Sequence, residues 1–297
     1  MRSEHGDLRS RSLLAVFAHP DDESLACGGL LAWCAHLGAR VSVCCATAGE
    51  LGPGPADVRG ARLQELRNAA RVLGVTDLVL LDYEDGMLPW TEAERLEADI
   101  RSTIGRLRPD VVITFGEDGL YGHPDHIAIH ERTTAAVAAL GEEGPALYYA
   151  TMPSGCMREV VRHVAATLVE RGIRGEPPQK ILGIADADAF GALAAPPTLV
   201  VELGRFAATK LAAIKCHRTQ LEDDALAMLA ARDAAHLLGI EQFHRADVGS
   251  RDAAFIEHFA SNLRSRLPSR SRATVGKPRE GCPPKLQRRR TSIRLRS

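Results

Sequence analysis

The sequence predicts an α/β protein, a doubly wound and mainly parallel sheet with helices on both faces. Three observations predict it. Apolar runs of five to seven residues alternate with segments of helical period through the first half of the chain. The early helical segments close on glycine, at Gly38 and Gly74, the usual left-handed stop. One strand start follows another after roughly thirty residues, the length a βαβ crossover needs. Repeated strand and helix at this spacing gives right-handed crossovers and a sheet covered on both sides.

In chain order, residues 13–18 (L-L-A-V-F-A) read as a buried strand and 24–36 as a helix. Residues 40–46 (R-V-S-V-C-C-A) form the next strand, followed by the loop T-A-G-E-L-G-P-G-P and a helix over 58–73. Residues 77–81 make a third strand and 92–107 a third helix. The run D-V-V-I-T at 110–114 is a fourth strand; its loop reaches Pro124, and a helix continues through residue 140. Strands are also expected at 146–151 and 198–202, with helices near 204–219 and 225–238. The boundaries are an N-terminal extension over 1–11, one domain over 12–262 (a core to 145, then a substrate wall), and a tail from 263.

At 297 residues, 45% hydrophobic and 25% charged, the chain can bury a sizeable core. No apolar run approaches the roughly 18 residues that span a bilayer, and the N-terminus has no apolar leader segment, so a cytoplasmic protein is expected. The seven cysteines form no C-x-x-C pair and lie mostly in apolar surroundings, which predicts reduced core thiols. Net charge is −1, but positions 264–297 hold twelve of the 37 Arg and Lys and one acid, Glu280, leaving 25 bases against 37 acids in the body. Such a tail, without aromatics or apolar period, reads as a solvated appendage; no nucleic-acid partner is expected. Oligomeric state is not legible.

Two loops carry the chemistry. A-H-P-D-D-E-S at 18–24 follows the first strand and sets three successive acids at the end of a buried run. Adjacent carboxylates there need a compensating cation, though a polar loop capping the next helix would have the same composition. The second loop, F-G-E-D-G-L-Y-G-H-P-D-H at 115–126, follows the fourth strand. In doubly wound sheets, strands one and four are commonly neighbours where strand order reverses, and ligands bind outside their carboxyl ends. The two loops would then bring His19, Asp21, Asp22, Glu23, Tyr121, His123, Asp125 and His126 to one crevice. Two imidazoles with one carboxylate make an open, hydrolytic type of metal site. A nucleotide site is disfavoured, since the first loop lacks G-x-G-x-x-G and offers acids where phosphates would sit.

The pair A-H-P-D-D-E and Y-G-H-P-D-H, about a hundred residues apart, resembles the signature of the PIG-L/LmbE-like zinc-dependent de-N-acetylases, and R-L-Q-E-L-R-N-A-A-R-V-L-G-V at 62–75 is similar to their Arg-containing helix. The resemblance covers about residues 12–260 and implies a Rossmann-like core. It implies that His19, Asp22 and His126 hold Zn2+ (Fe2+ and Mn2+ suit the same set). Asp21 corresponds to the general base toward metal-bound water. His123 and Tyr121 correspond to donors to the oxyanion, and Asp125 to the carboxylate that positions a protonated His123. Arg62, Asp85 and His217 correspond to substrate contacts. The bland readings are a paired helix arginine, a turn residue before Gly86 and a polar helix position; Glu23 reads as a helix-start acid or supporting group.

The expected activity is removal of an N-acetyl or other N-acyl group from an amino sugar or related small molecule. The alternatives are an amidase on a thiol- or antibiotic-type conjugate, or a non-catalytic ligand-binding protein on the same sheet. The loop at 47–55 is shorter than the acidic insertion of the mycothiol-pathway members, so the resemblance does not by itself select their substrate.

Overall fold

The computed structural model describes residues 7–259; the basic tail from 263 and the first six residues lie outside the described residues. The elements are β1 (Ser12–Phe17), α1 (Asp22–His36), β2 (Arg40–Thr47), α2 (Val58–Leu73), β3 (Asp77–Tyr83), α3 (Ala93–Leu107), β4 (Val111–Phe115), the single turn α4 (Gly119–Gly122), α5 (Pro124–Ala138), β5 (Ala146–Thr151), α6 (Cys156–Glu170), β6 (Leu199–Glu202), α7 (Phe206–Ile214), the short α8 (Ala225–Met228) and α9 (Ala234–Leu237), and β7 (Ile240–Gly249). Seven strands form one sheet in the order β3-β2-β1-β4-β5-β7-β6. The first five strands run parallel, and β7 pairs antiparallel with β5 and β6.

Strands β1 and β4 are neighbours, with Leu13 opposite Val111 and Ala15 opposite Ile113. Strand order reverses between them, so their carboxyl-end loops open into a common crevice. Both strands are buried almost throughout, which explains their continuous apolar runs. β3 is an edge strand in which only Tyr83 is buried.

The first half follows the expected pattern closely. α2 spans the predicted residues, and Gly74 closes it at φ 76°. The second half differs. α6 was not anticipated, although Met157, Val160, Val161 and Val164 give it a buried stripe of helical spacing. β7 was also missed, because I-E-Q-F-H-R-A-D-V-G lacks alternation: one buried position holds Glu241 and another Phe243. The helix expected near 225–238 is broken into α8 and α9 by a 3-10 turn. Among the described residues, no helix is long and apolar enough to cross a membrane.

Glu241 has a structural task that fixes the helix behind the site. α1 is interrupted at Cys27, whose φ of −145° is non-helical. The amides of Gly29 and Leu30 donate instead to the two oxygens of Glu241, each at 2.9 Å, and Lys210 Nζ neutralises that carboxylate at 2.8 Å. A Cβ on Gly29 would lie 2.2 Å from a methyl of the buried Leu203, which would have to shift to admit it. Glu241→Ala is expected to cost about 3–5 kcal/mol, as for breaking a buried ion pair, read from denaturant unfolding. A loss under about 1 kcal/mol would show that water replaces the carboxylate.

Candidate active site and metal centre

The loop after β1 turns sharply at Asp21, which takes φ 119° and ψ −28°. That left-handed backbone is disfavoured for any residue with a Cβ and persists only where the surroundings impose it. Asp21 is the residue before α1, yet its side chain makes no capping hydrogen bond. It turns instead to Arg62, whose Nη2 donates to Asp21 Oδ2 at 2.9 Å and to the Pro20 carbonyl at 2.6 Å. Arg62 Nη1 donates to the Gly49 carbonyl at 2.8 Å. The capping interpretation of the triple acid is thereby excluded for Asp21. Burial pushes its carboxyl up to about 7, against the lowering pull of Arg62.

His19, Asp22 and His126 converge. His19 Nδ1 stands 3.1 Å from His126 Nε2 and 3.6 Å from Asp22 Oδ2, and His126 Nε2 is 3.2 Å from Asp22 Oδ1. Tautomers follow from the outer partners. His126 Nδ1 lies 3.0 Å from the Gly119 carbonyl, which can only accept, so the neutral ring presents a bare Nε2. His19 Nε2 faces Asp125 Oδ2 at 3.1 Å and Asp85 Oδ1 at 3.0 Å, also acceptors, so its Nδ1 is bare when the ring is neutral. With both rings neutral, two imidazole lone pairs and a carboxylate face one another within a buried space, an arrangement that repels unless a proton or metal cation lies among them. With bonds of roughly 2.0 to 2.2 Å, the ligands of tetrahedral zinc stand about 3.4 Å apart, so the observed separations fit such an ion. The outer hydrogen bonds to Gly119, Asp85 and Asp125 are those that orient metal-binding imidazoles.

Electrostatics agree with that geometry. Burial outweighs Asp22 and lowers His126 to about 3. Asp22, though buried, is held down to about 2 by His126 and His19. Burial opposes a charge on His19, but Asp125, Asp22 and Asp85 together raise it well above the ordinary value. The set attracts positive charge. Two further groups share His19: His19 with His123 and His126, and His19 with Asp85 and Asp125, each bring three ligand atoms within 4.8 Å of one another. In the second group His19 Nε2 is committed as a donor, so Asp85 and Asp125 act as its hydrogen-bond partners.

Several expected contacts are placed differently. Asp125 does not position His123. Its carboxylate accepts from Gly86 N at 2.8 Å and Leu88 N at 3.2 Å, amides of the segment after β3, besides His19. His123 caps α5: its Nδ1 accepts from the Asp125 amide at 3.2 Å, so Nε2 carries the hydrogen. Burial and then His19 lower the basicity of His123, which favours the neutral ring with Nε2–H as donor. His217 does not line the crevice. It is fully buried against Glu23, with Nε2 3.1 Å from Oε1, and Glu23 Oε2 accepts from the Asp21 amide at 3.1 Å. Glu23 is a supporting group, and His217 stands behind it. Their separation of nearly two hundred positions left no local signal for the pairing.

The remaining residues border a cavity of about 280 Å³ that includes His19, Asp21, Asp22, Arg62, Tyr121 and His123. Asp85 also lines it, accepting from the Leu51 amide at 2.9 Å. Tyr121 packs edge-on against His126, and burial keeps its hydroxyl protonated. Gln220, Leu182 and Phe190 complete the wall; none was singled out by the sequence, since they come from the weakly patterned second half.

Fold and site together define an α/β protein whose acid and imidazole cluster lies at the switch point of a parallel sheet. The family described as PIG-L, GlcNAc-PI de-N-acetylase, matches residues 14–137. A 1D-myo-inositol 2-acetamido-2-deoxy-alpha-D-glucopyranoside deacetylase of Nakamurella multipartita is 35% identical over 245 residues, covering 71% of this chain and 80% of that protein. The chain belongs to the PIG-L family. Among solved structures, an N,N'-diacetylchitobiose deacetylase from Pyrococcus horikoshii matches 80% of this chain and 84% of its own with TM-score 0.53 at 21% identity. A 4-carboxy-2-hydroxymuconate hydratase from Pseudomonas putida matches 82% and 99% with TM-score 0.54 at 18% identity. The shared fold thus serves more than one reaction, and the reaction must be argued from the site.

Proposed function

We propose that this protein is a metal-dependent hydrolase that removes the N-acetyl group from a small amino-sugar glycoside, working in the cytoplasm. The observation that carries the reading is the convergence of His19 Nδ1, His126 Nε2 and the Asp22 carboxylate beside a carboxylate, Asp21, that is paired with Arg62. The deacetylase relatives support the amino-sugar substrate class. The six described cysteines are free, in keeping with a reducing compartment.

His19, Asp22 and His126 would hold the ion, zinc first and Fe2+ or Mn2+ by the same donor set. When bound, a divalent ion there makes a water acidic near neutral pH and polarises the amide carbonyl. Asp21 accepts the proton of the attacking water; Arg62 occupies its Oδ2 and leaves Oδ1 for the transfer. The Tyr121 hydroxyl and His123 Nε2–H donate to the acyl oxygen as negative charge grows on it. Asp21 then returns its proton to the leaving nitrogen, which departs as a free amine with release of acetate. Arg62 and Asp85 orient Asp21 and His19 and, at the cavity wall, would meet sugar hydroxyls.

The test is an assay of amine release from N-acetylglucosaminides, including the inositol glycoside, before and after chelation. Activity is expected to fall at least about a hundredfold on chelation and to return with zinc. Failure to release amine from any N-acylated amino sugar in the presence of zinc, iron(II) or manganese would defeat the proposal.

A further inference from the structure

One wall of the cavity comes from a segment outside both His-Pro-Asp loops. Residues 181–184 make a tight turn in which Ile181 N donates to Ile184 O and Ile184 N to Ile181 O, both at 3.0 Å. Its two central residues have positive φ, Leu182 at 47° and Gly183 at 81°. A turn of that hand takes Asn-Gly or Gly-Gly readily, because a left-handed backbone drives Cβ toward the next carbonyl. Leucine is a poor choice there for the backbone, and Leu182 is only partly buried. Leu182 instead packs against the hydrophobic core and is among the apolar residues lining the cavity, with Leu25, Ile184 and Phe190.

Such a conformation persists only where its surroundings over-determine it, and here Asp224 does so. Its buried carboxylate accepts from Gly183 N at 3.3 Å and from Leu226 N at 2.9 Å, and the Leu182 amide also donates to it. Ala225 N donates to the Lys180 carbonyl at 3.0 Å. The turn is thus fastened to the start of α8 from both sides. The cavity's polar side chains, Arg62, Asp85 and Gln220 beside those of the two His-Pro-Asp loops, come from other elements; this wall offers only hydrocarbon and backbone.

The geometry points to Leu182 as the residue that sets which acyl group the site admits, with Asp224 as the positioning residue that holds it there. The chemical class selected is a short N-acyl chain on an amino sugar: an acetyl methyl lies against the apolar wall, and a longer chain needs the volume that Leu182 fills. This inference rests on the deacylase reading above.

The test compares methyl N-acetyl- and N-butyryl-glucosaminide with zinc-loaded, full-length wild type and the variants Leu182→Ala, Leu182→Gly, Asp224→Ala and Asp224→Asn, recording kcat, KM and melting temperature. Both Leu182 variants should raise the butyryl-to-acetyl ratio of kcat/KM by about tenfold or more, the scale of methylene discrimination in an apolar pocket. Leu182→Gly should do so without losing more than about 2 °C in melting temperature, since glycine relieves the left-handed backbone. Asp224→Ala should raise KM for the acetyl substrate about tenfold while relaxing the acyl preference; Asp224→Asn, which keeps one of the two acceptor oxygens, should fall between Asp224→Ala and wild type on both. An unchanged ratio in active Leu182 variants overturns the inference. So does an unchanged ratio with a melting temperature lowered by more than about 5 °C, which would make Leu182 a packing residue. The acyl pair is carried on the inositol glycoside as well, and only if wild type releases amine from no N-acylated amino sugar with zinc, iron(II) or manganese does the deacylase reading itself fail and this inference with it.

Discussion

Asp22→Ala is expected to lower bound divalent metal to less than about a tenth of the wild-type stoichiometry and to lower turnover by at least about a thousandfold. The carboxylate is one of three groups that face a common point, 3.2 Å from His126 Nε2 and 3.6 Å from His19 Nδ1. Without it the two bare imidazole nitrogens remain, and two neutral ligands hold a dication poorly. A second readout separates metal loss from misfolding. An ion bound at a hundred times its Kd stabilises the native state by about 2.7 kcal/mol, so zinc should raise the wild-type melting temperature by about 5 to 10 °C. That rise should vanish in Asp22→Ala, each protein being compared with its own chelated form because the variant also loses the buried hydrogen bond from the His19 amide. Wild-type metal content in the purified variant would remove Asp22 from the site and favour the grouping of His19, His123 and His126.

Asp21→Asn should separate chemistry from metal binding. The amide keeps the shape of the carboxylate but cannot take a proton, so turnover should fall by about 10²- to 10⁴-fold, with metal content as in wild type and KM changed little. Arg62 loses its charged partner in this variant but keeps the Pro20 and Gly49 carbonyls, so the loop should hold its course. Loss of metal together with activity would show that Asp21 and Asp22 have exchanged roles. Retention of more than about a tenth of the activity would make the Asp21 carboxylate a partner for Arg62 alone.

The first-half architecture was legible because buried parallel strands and their covering helices write their periods directly into sequence. β1 and β4 are continuous apolar runs, and α2 carries its own start and its glycine stop. The second half was less legible for two physical reasons. β7 is antiparallel and carries Glu241 at a buried position, which breaks the alternation a strand would otherwise show. The segment at 225–238 is cut into single turns whose stability comes from packing rather than from a periodic face. α6 was a missed signal rather than an absent one.

For the site, the amino-acid sequence alone determined which residue types meet: two His-Pro-Asp loops, each at the end of a strand, on strands that a doubly wound order makes neighbours. It left the assignment among the acids to resemblance, because Asp21, Asp22 and Glu23 are chemically alike and adjacent. Only the tertiary structure assigned them separate surroundings. Asp22 faces two imidazoles, Asp21 is turned by a left-handed backbone onto Arg62, and Glu23 is sealed against His217 from the far end of the chain. It likewise moved Asp125 from His123 to His19, through amides of Gly86 and Leu88. Side-chain chemistry and strand order are local or periodic properties, so a sequence displays them. Hydrogen-bond partnership depends on which donors the tertiary fold brings within distance and angle of an acceptor, and sequence spacing carries no record of that.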